Sequence, residues 1–143
     1  MKKIFKRIAA MSAAVIIMSS NCIGSSAASS SASGTVRYNN KTYNTSASVT
    51  CNRWDATSNT HIDHYSCTSI STAVTYKYLD TSVGYKYVTD HAERSSGGGG
   101  VIATAYMPTA CQGSPNRYRS ISASSTHGVT YGTRWTKSLS TNY

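Results

Sequence analysis

The sequence predicts an all-β protein, an antiparallel β-sandwich of about seven strands, with a small β-barrel as the alternative architecture. Three observations carry that expectation. Apolar and aromatic residues recur at every second position in one segment after another, which is the period of a strand with one buried face. Clusters of Asn, Gly, Pro and Ser interrupt these segments at fairly regular spacing, and no stretch beyond residue 28 carries a helical pattern. That same part of the chain holds all eleven Tyr and no Phe, with only thirteen Val, Ile and Leu, so its core has to be an aromatic and β-branched one. A sandwich is favoured over a barrel because two long loops are available to cross between sheets.

Residues 1–28 read as an export signal. Lys2, Lys3, Lys6 and Arg7 form a positive start, and the apolar run from Ile8 to Met18 is too short to span a bilayer. Small residues at Ser26 and Ala28 fit a cleavage site, which places the mature start near Ser29. The expected location is therefore secreted or cell-surface, in a bacterial setting, with no stable membrane insertion of the mature chain. Ser29–Gly34 has no periodicity and reads as a flexible leader, followed by one β-sandwich domain over residues 35–143. Four of the fourteen basic residues lie in the signal and all five acidic ones lie outside it, which leaves the mature part at +5. An excess of that size favours anionic surfaces without selecting among them.

The first hairpin is the most explicit. Val36 and Tyr38 lead into Asn39-Asn40, a pair that tolerates the left-handed turn conformation, so that Tyr38 faces Lys41 and Val36 faces Tyr43. The returning strand puts Tyr43, Thr45, Ala47, Val49 and Cys51 on its inner face. Arg53–Ser66 breaks the alternation and reads as a polar loop anchored by Trp54 and Tyr65. Ile70, Thr72, Val74, Tyr76 and Tyr78 form the next inner face; after a turn at Asp80–Ser82, Val83, Tyr85 and Tyr87 are expected to pair with it as cross-strand aromatics. Glu93–Gly100 ends in four glycines and reads as a mobile loop. Val101–Met107 is a strand, Thr109–Asn116 a loop, Arg117–Thr126 a weak strand, and His127-Gly128 a turn. The closing stretch keeps Val129, Tyr131, Trp135, Leu139 and Tyr143 on one parity, so Tyr131 and Trp135 are expected to be buried.

Candidate function concentrates in the loop between Cys51 and Cys67. It gathers Trp54, His61, Asp63, His64 and Tyr65, and loops on a rigid β scaffold are where binding residues tend to sit. With three cysteines after residue 28, Cys51 and Cys67 are the expected disulfide and Cys111 the remainder. No cofactor and no metal are expected. The run Asn59–His64 nevertheless resembles the HxHxDH zinc motif of metallo-hydrolases, without its first His. That resemblance goes with an alternative in which His61, Asp63, His64 and Cys67 hold zinc, with His91 or Cys51 as alternates.

Catalysis has little to draw on. There is no G-x-S-x-G elbow, and the five carboxylates are scattered through loops and turns, so a non-enzymatic protein is expected. Trp54, Tyr65 and Tyr106 are suited to stacking on sugar rings or anchoring a protein. The expected role is a secreted binding or surface-interaction protein for an extracellular glycan, a cell-wall polymer or a protein ligand, and not for nucleic acid, which export makes a poor partner. In size, signal and Tyr/Ser/Thr richness the chain also looks like the small exported cationic β-proteins among bacteriocins, which implies an antimicrobial alternative.

Overall fold

The computed structural model describes residues 27–143; the expected export signal lies outside the described residues except for its last two positions. Eight strands form two antiparallel four-stranded sheets, a sandwich and not a closed barrel. They are β1 (Ala28–Tyr38), β2 (Lys41–Cys51), β3 (Asp55–Ile62), β4 (Ser69–Asp80), β5 (Gly84–Arg94), β6 (Gly99–Tyr106), β7 (Tyr118–Tyr131) and β8 (Thr133–Asn142), with one helical turn, α1 (Thr109–Gln112), between β6 and β7. One sheet has the order β1-β2-β3-β6 and the other β5-β4-β7-β8. Because neighbours are antiparallel throughout, the connections β1–β2, β3–β4, β5–β6 and β7–β8 gather at one pole, called here the upper pole. The lower pole carries the β2–β3 and β4–β5 turns and α1.

The first hairpin forms as its residues dictate. Asn39 and Asn40 take φ of 48° and 61°, and Tyr38 pairs with Lys41 and Val36 with Tyr43. The inner faces of β2 and β4 also match expectation, with Thr45, Ala47, Val49, Cys51, Ile70, Thr72, Val74, Tyr76 and Tyr78 all buried.

Elsewhere the chain departs from expectation for identifiable reasons. Ser29–Gly34 is not a flexible leader but part of β1, paired residue by residue with Gly34 to Thr45 and Ser29 to Thr50. At one of its inner positions the side chain is absent because a large neighbour lies over it: a Cβ on Gly34 would overlap the indole of Trp135. The polar loop expected over 53–66 contains β3, whose inner residues Ala56, Ser58, Thr60 and Ile62 are all buried. Two hydroxyls in that inner row concealed the alternation.

The closing stretch is two strands, broken at Gly132 (φ 68°). Tyr131 pairs with Thr133 and Val129 with Trp135 across it. A turn of one residue preserves parity, so the pattern ran through the break without interruption. Val129 and Leu139 are buried as expected, but Tyr131 and Trp135 are only half-buried. His127-Gly128 is no turn; it lies inside β7. Tyr85 and Tyr87 point outward, opposite Leu79 and Lys77, so the expected cross-strand aromatic pairs do not form. Val88 and Ala92 take the inner positions of β5.

The core is divided. A larger apolar cluster around Val49, Val74, Tyr76, Ala103 and Met107 fills the lower part, and a smaller one of Val36, Ile62, Cys67, Ile70 and Val129 lies toward the upper pole. Trp135 packs against both. Between them runs a belt of hydroxyls around one imidazole. His127 Nδ1 faces Thr60 Oγ1 at 2.8 Å and Thr72 Oγ1 at 3.2 Å, and its Nε2 faces Ser125 Oγ at 2.6 Å. Ser58 Oγ joins Thr72 Oγ1 at 2.7 Å, and Thr60 Oγ1 donates to the Ser71 carbonyl at 2.9 Å. A buried polar group is tolerated when its partners are supplied. Burial drives the His127 imidazole down to about 4, so it is neutral at pH 7.

Candidate functional site

The upper pole collects the rings. Tyr38 ends β1, Tyr43 lies just past the hairpin in β2, His64 and Tyr65 follow β3, and Tyr131 ends β7. His64 sits among them, with ring centroids 4.3 Å from Tyr43, 4.2 Å from Tyr65 and 5.2 Å from Tyr131. Tyr131 in turn stacks on Tyr38 at 4.4 Å and meets Tyr43 edge-on at 5.3 Å. These separations are those at which aromatic pairs attract beyond their area of contact. The cluster is nevertheless open to solvent, with Tyr65 87% and Tyr38 41% exposed.

What holds the cluster is the glycine run, which is ordered and not the mobile loop expected. Only Ser95–Gly98 lies outside the strands, and its backbone docks directly on the link between β3 and β4. Gly98 N–H donates to the Tyr65 carbonyl at 2.9 Å and Gly99 N–H to the His64 carbonyl at 3.1 Å. The Cys67 thiol donates to the Gly97 carbonyl at 2.8 Å, and the Arg94 guanidinium reaches the Gly98 carbonyl. Gly97 and Gly99 take φ of 85° and 83°, a region that side chains disfavour. Gly98 therefore serves a close approach of two backbones, and Gly97 and Gly99 supply the positive φ on either side of it. Ser66 N–H donates to His64 Nδ1 at 3.1 Å, which fixes the imidazole.

Of the residues singled out from sequence, His64 and Tyr65 lie in this cluster, and His61 and Asp63 lie beside it, both exposed, with Asp63 N–H bonded to the Asn44 carbonyl at 2.9 Å. Trp54 is at the opposite pole, separated by the length of β3, about 25 Å at strand rise. There it is half-buried against the larger cluster, its carbonyl accepting from Met107 N–H at 2.7 Å and its ring covered by Arg53 at 4.8 Å. The sequence pattern places Tyr43 and Tyr131 on inner faces, and Tyr38 opposite Lys41 in the first hairpin. Their parity is inward, but at a strand end the inner face opens to solvent. The signal for this was their position within a few residues of a turn.

The expected Cys51–Cys67 bridge does not fit the fold. β3 runs the height of the sheet between them, so Cys51 ends β2 at the lower pole and Cys67 packs at the upper one, about 20 Å away by strand rise. A disulfide needs Cα atoms within about 7 Å. All three cysteines among the described residues are free, and burial pushes the Cys51 and Cys67 thiols up. In the native protein a thiol reagent is expected to label Cys111 alone of the three, with Cys51 and Cys67 labelled only on unfolding, as peptide mass mapping would read. The zinc alternative fares no better. Among the described residues no three His, Cys, Asp or Glu side chains are placed to share a metal.

The Ser125–His127 pair has the contact of a nucleophile and its base, but both residues are shut between the sheets, 4% and 3% exposed. A substrate has no approach to it. Three of the five carboxylates are engaged in structural bonds: Asp55 to Asn52, Asp90 to Thr104 N–H, and Asp80 to Arg117 and Ser82. The Arg117 guanidinium, with help from Ser82, holds Asp80 well below the usual carboxylate range.

No protein-family model, no curated protein and no solved structure matches the chain.

Proposed function

We propose that the protein is an exported, non-enzymatic binding module that takes a sugar ring of an extracellular or cell-wall glycan against the aromatic upper pole. The observation that carries this reading is the fixed, solvent-open cluster of Tyr38, Tyr43, His64, Tyr65 and Tyr131, with Tyr65 87% exposed on a docked backbone. Rings held in this way lose little freedom on binding, and each presents an apolar face beside a phenolic hydroxyl. A sugar ring offers the complement, a C–H face with hydroxyls around its rim. A non-enzymatic role is supported by the burial of the Ser125–His127 pair and by the structural engagement of three of the five carboxylates.

The test is calorimetric titration with soluble N-acetylglucosamine oligomers and other neutral cell-wall oligosaccharides, comparing the protein with Tyr65→Ala. Because Tyr65 is almost wholly exposed, its loss is expected to change stability by less than about 0.5 kcal/mol. Affinity is expected to fall at least tenfold, or about 1.4 kcal/mol. Unchanged affinity in the Tyr65→Ala protein would remove the upper pole from the binding surface.

A further inference from the structure

We propose a second binding site on the opposite side of the molecule from sheet β1-β2-β3-β6: the outer face of sheet β5-β4-β7-β8, shaped to take a carboxylate- or phosphate-bearing glycan chain. The groove is written in side-chain size. The two central strands present small outward residues, Ser71 and Ala73 from β4 and Thr126 and Gly128 from β7, which lie side by side in the register. The edge strand β5 presents larger ones, His91 and Glu93, while β8 continues the low floor with Thr136 and Ser138 and raises Arg134 at one end. A low floor bounded by the β5 edge and by Arg134 leaves an open trough of about 760 Å³. It continues into hollows of about 330 Å³ toward Ser140 and about 480 Å³ toward Ser69.

The chemistry of the face selects the ligand class. By strand parity the charged outward residues of this sheet are Lys77, Arg119 and Arg134 against the single carboxylate of Glu93. The other sheet turns Arg37 outward with Asp55 and Asp63, so cationic charge is concentrated on one side of the sandwich. A surface of one sign draws in ligands of the other. The floor is lined with hydroxyls and one small methyl side chain, suited to hydrogen bonding along a sugar backbone. Beyond the trough on the same face, Tyr85 and Tyr87 stand 57% and 62% exposed with Lys77 Nζ 4.0 Å and 5.9 Å from their ring centroids. An aromatic face beside a cation matches a sugar ring that carries an anion.

The experiment titrates the full chain with galacturonate oligomers, with a sugar-phosphate polymer, and with neutral glucan oligomers and single-stranded DNA of equal length. Binding of either anionic polymer is expected, weakening steeply with added NaCl, and the tighter of the two identifies the preferred anion. Arg134→Gln, and Ala73→Gln as an uncharged plug in the floor, are each expected to weaken it at least tenfold. Arg53→Gln at the lower pole and Tyr65→Ala at the upper pole are expected to leave it within twofold, so failure of this site and failure of the upper-pole site are read separately. An equal loss with Arg53→Gln would reveal general charge attraction and overturn the proposal. So would neutral glucan or single-stranded DNA binding as tightly as the anionic glycans, or no binding of either anionic polymer.

Discussion

Gly98→Ala is expected to destabilise the protein by about 3 kcal/mol or more, the upper range for forcing atoms into a packed site without room to relax. A Cβ at this position would overlap the carbonyl of His64 and crowd the backbone carbon of Tyr65, neither of which can rotate away as a side chain could. The substitution also threatens the two backbone bonds from Gly98 and Gly99 that seat the glycine run on the β3–β4 link. Stability and site should therefore fail together, with the Tyr65 and His64 resonances shifting even at temperatures where the fold survives. Gly113→Ala is the matched control, since a Cβ there meets nothing within 4 Å. Urea melts of the two proteins read the difference, and equal midpoints would mean that the backbone contact is absent in solution.

Acid is expected to remove about 3 kcal/mol of stability between pH 6.5 and pH 4, through His127. Its ordinary value is 6.5 and burial lowers it to about 4 in the folded protein, while the unfolded chain titrates normally. The unfolded state thus takes up the proton first. The stabilising contribution is complete above pH 6.5, shrinks as the pH falls, and is fully lost below about 4. The groups facing the imidazole are all neutral hydroxyls, from Thr60, Thr72 and Ser125, so no carboxylate is present to receive the charge. Asp80 adds a separate loss at lower pH. Its carboxyl is held low by Arg117, so that contribution is present above the ordinary carboxylate value and disappears beneath it. Urea melts across this range test both parts. His127→Ala is expected to cost about 3 kcal/mol at pH 7.5, through a cavity and the loss of the Ser125 hydroxyl's partner, and to flatten the dependence between pH 6.5 and 4. A His127→Ala protein that kept the full slope would place the titration elsewhere.

The sandwich was legible in the sequence wherever its inner faces are apolar. The Asn39-Asn40 turn set its own register, and β2 and β4 announced themselves through Val, Ile and Tyr at every second position. β3 was missed because its inner row is Ala56, Ser58, Thr60 and Ile62, and nothing local tells a hydroxyl bound for His127 from one bound for water. β1 was shortened because its inner residues are small, and at Gly34 the reason lies 101 positions away, where the indole of Trp135 covers it. The site was half legible. His64 and Tyr65 could be found as ring-bearing residues in a break of the strand pattern, and losing β3 then joined them wrongly to Trp54 and suggested a bridge between cysteines at opposite poles. The glycine run posed the same difficulty, since four glycines read as freedom until the backbone they approach is known.

The measurement that bears most directly on binding at the upper pole is a heteronuclear NMR titration of the protein with a neutral oligosaccharide from the cell-wall panel. Perturbations are expected to centre on Tyr38, Tyr43, His64, Tyr65 and Tyr131 and on the adjoining Ser95–Gly98 backbone, with Trp54 and the α1 turn unmoved. Saturable binding that instead perturbs Trp54 and the lower pole, while leaving Tyr65 and His64 in place, would contradict the account.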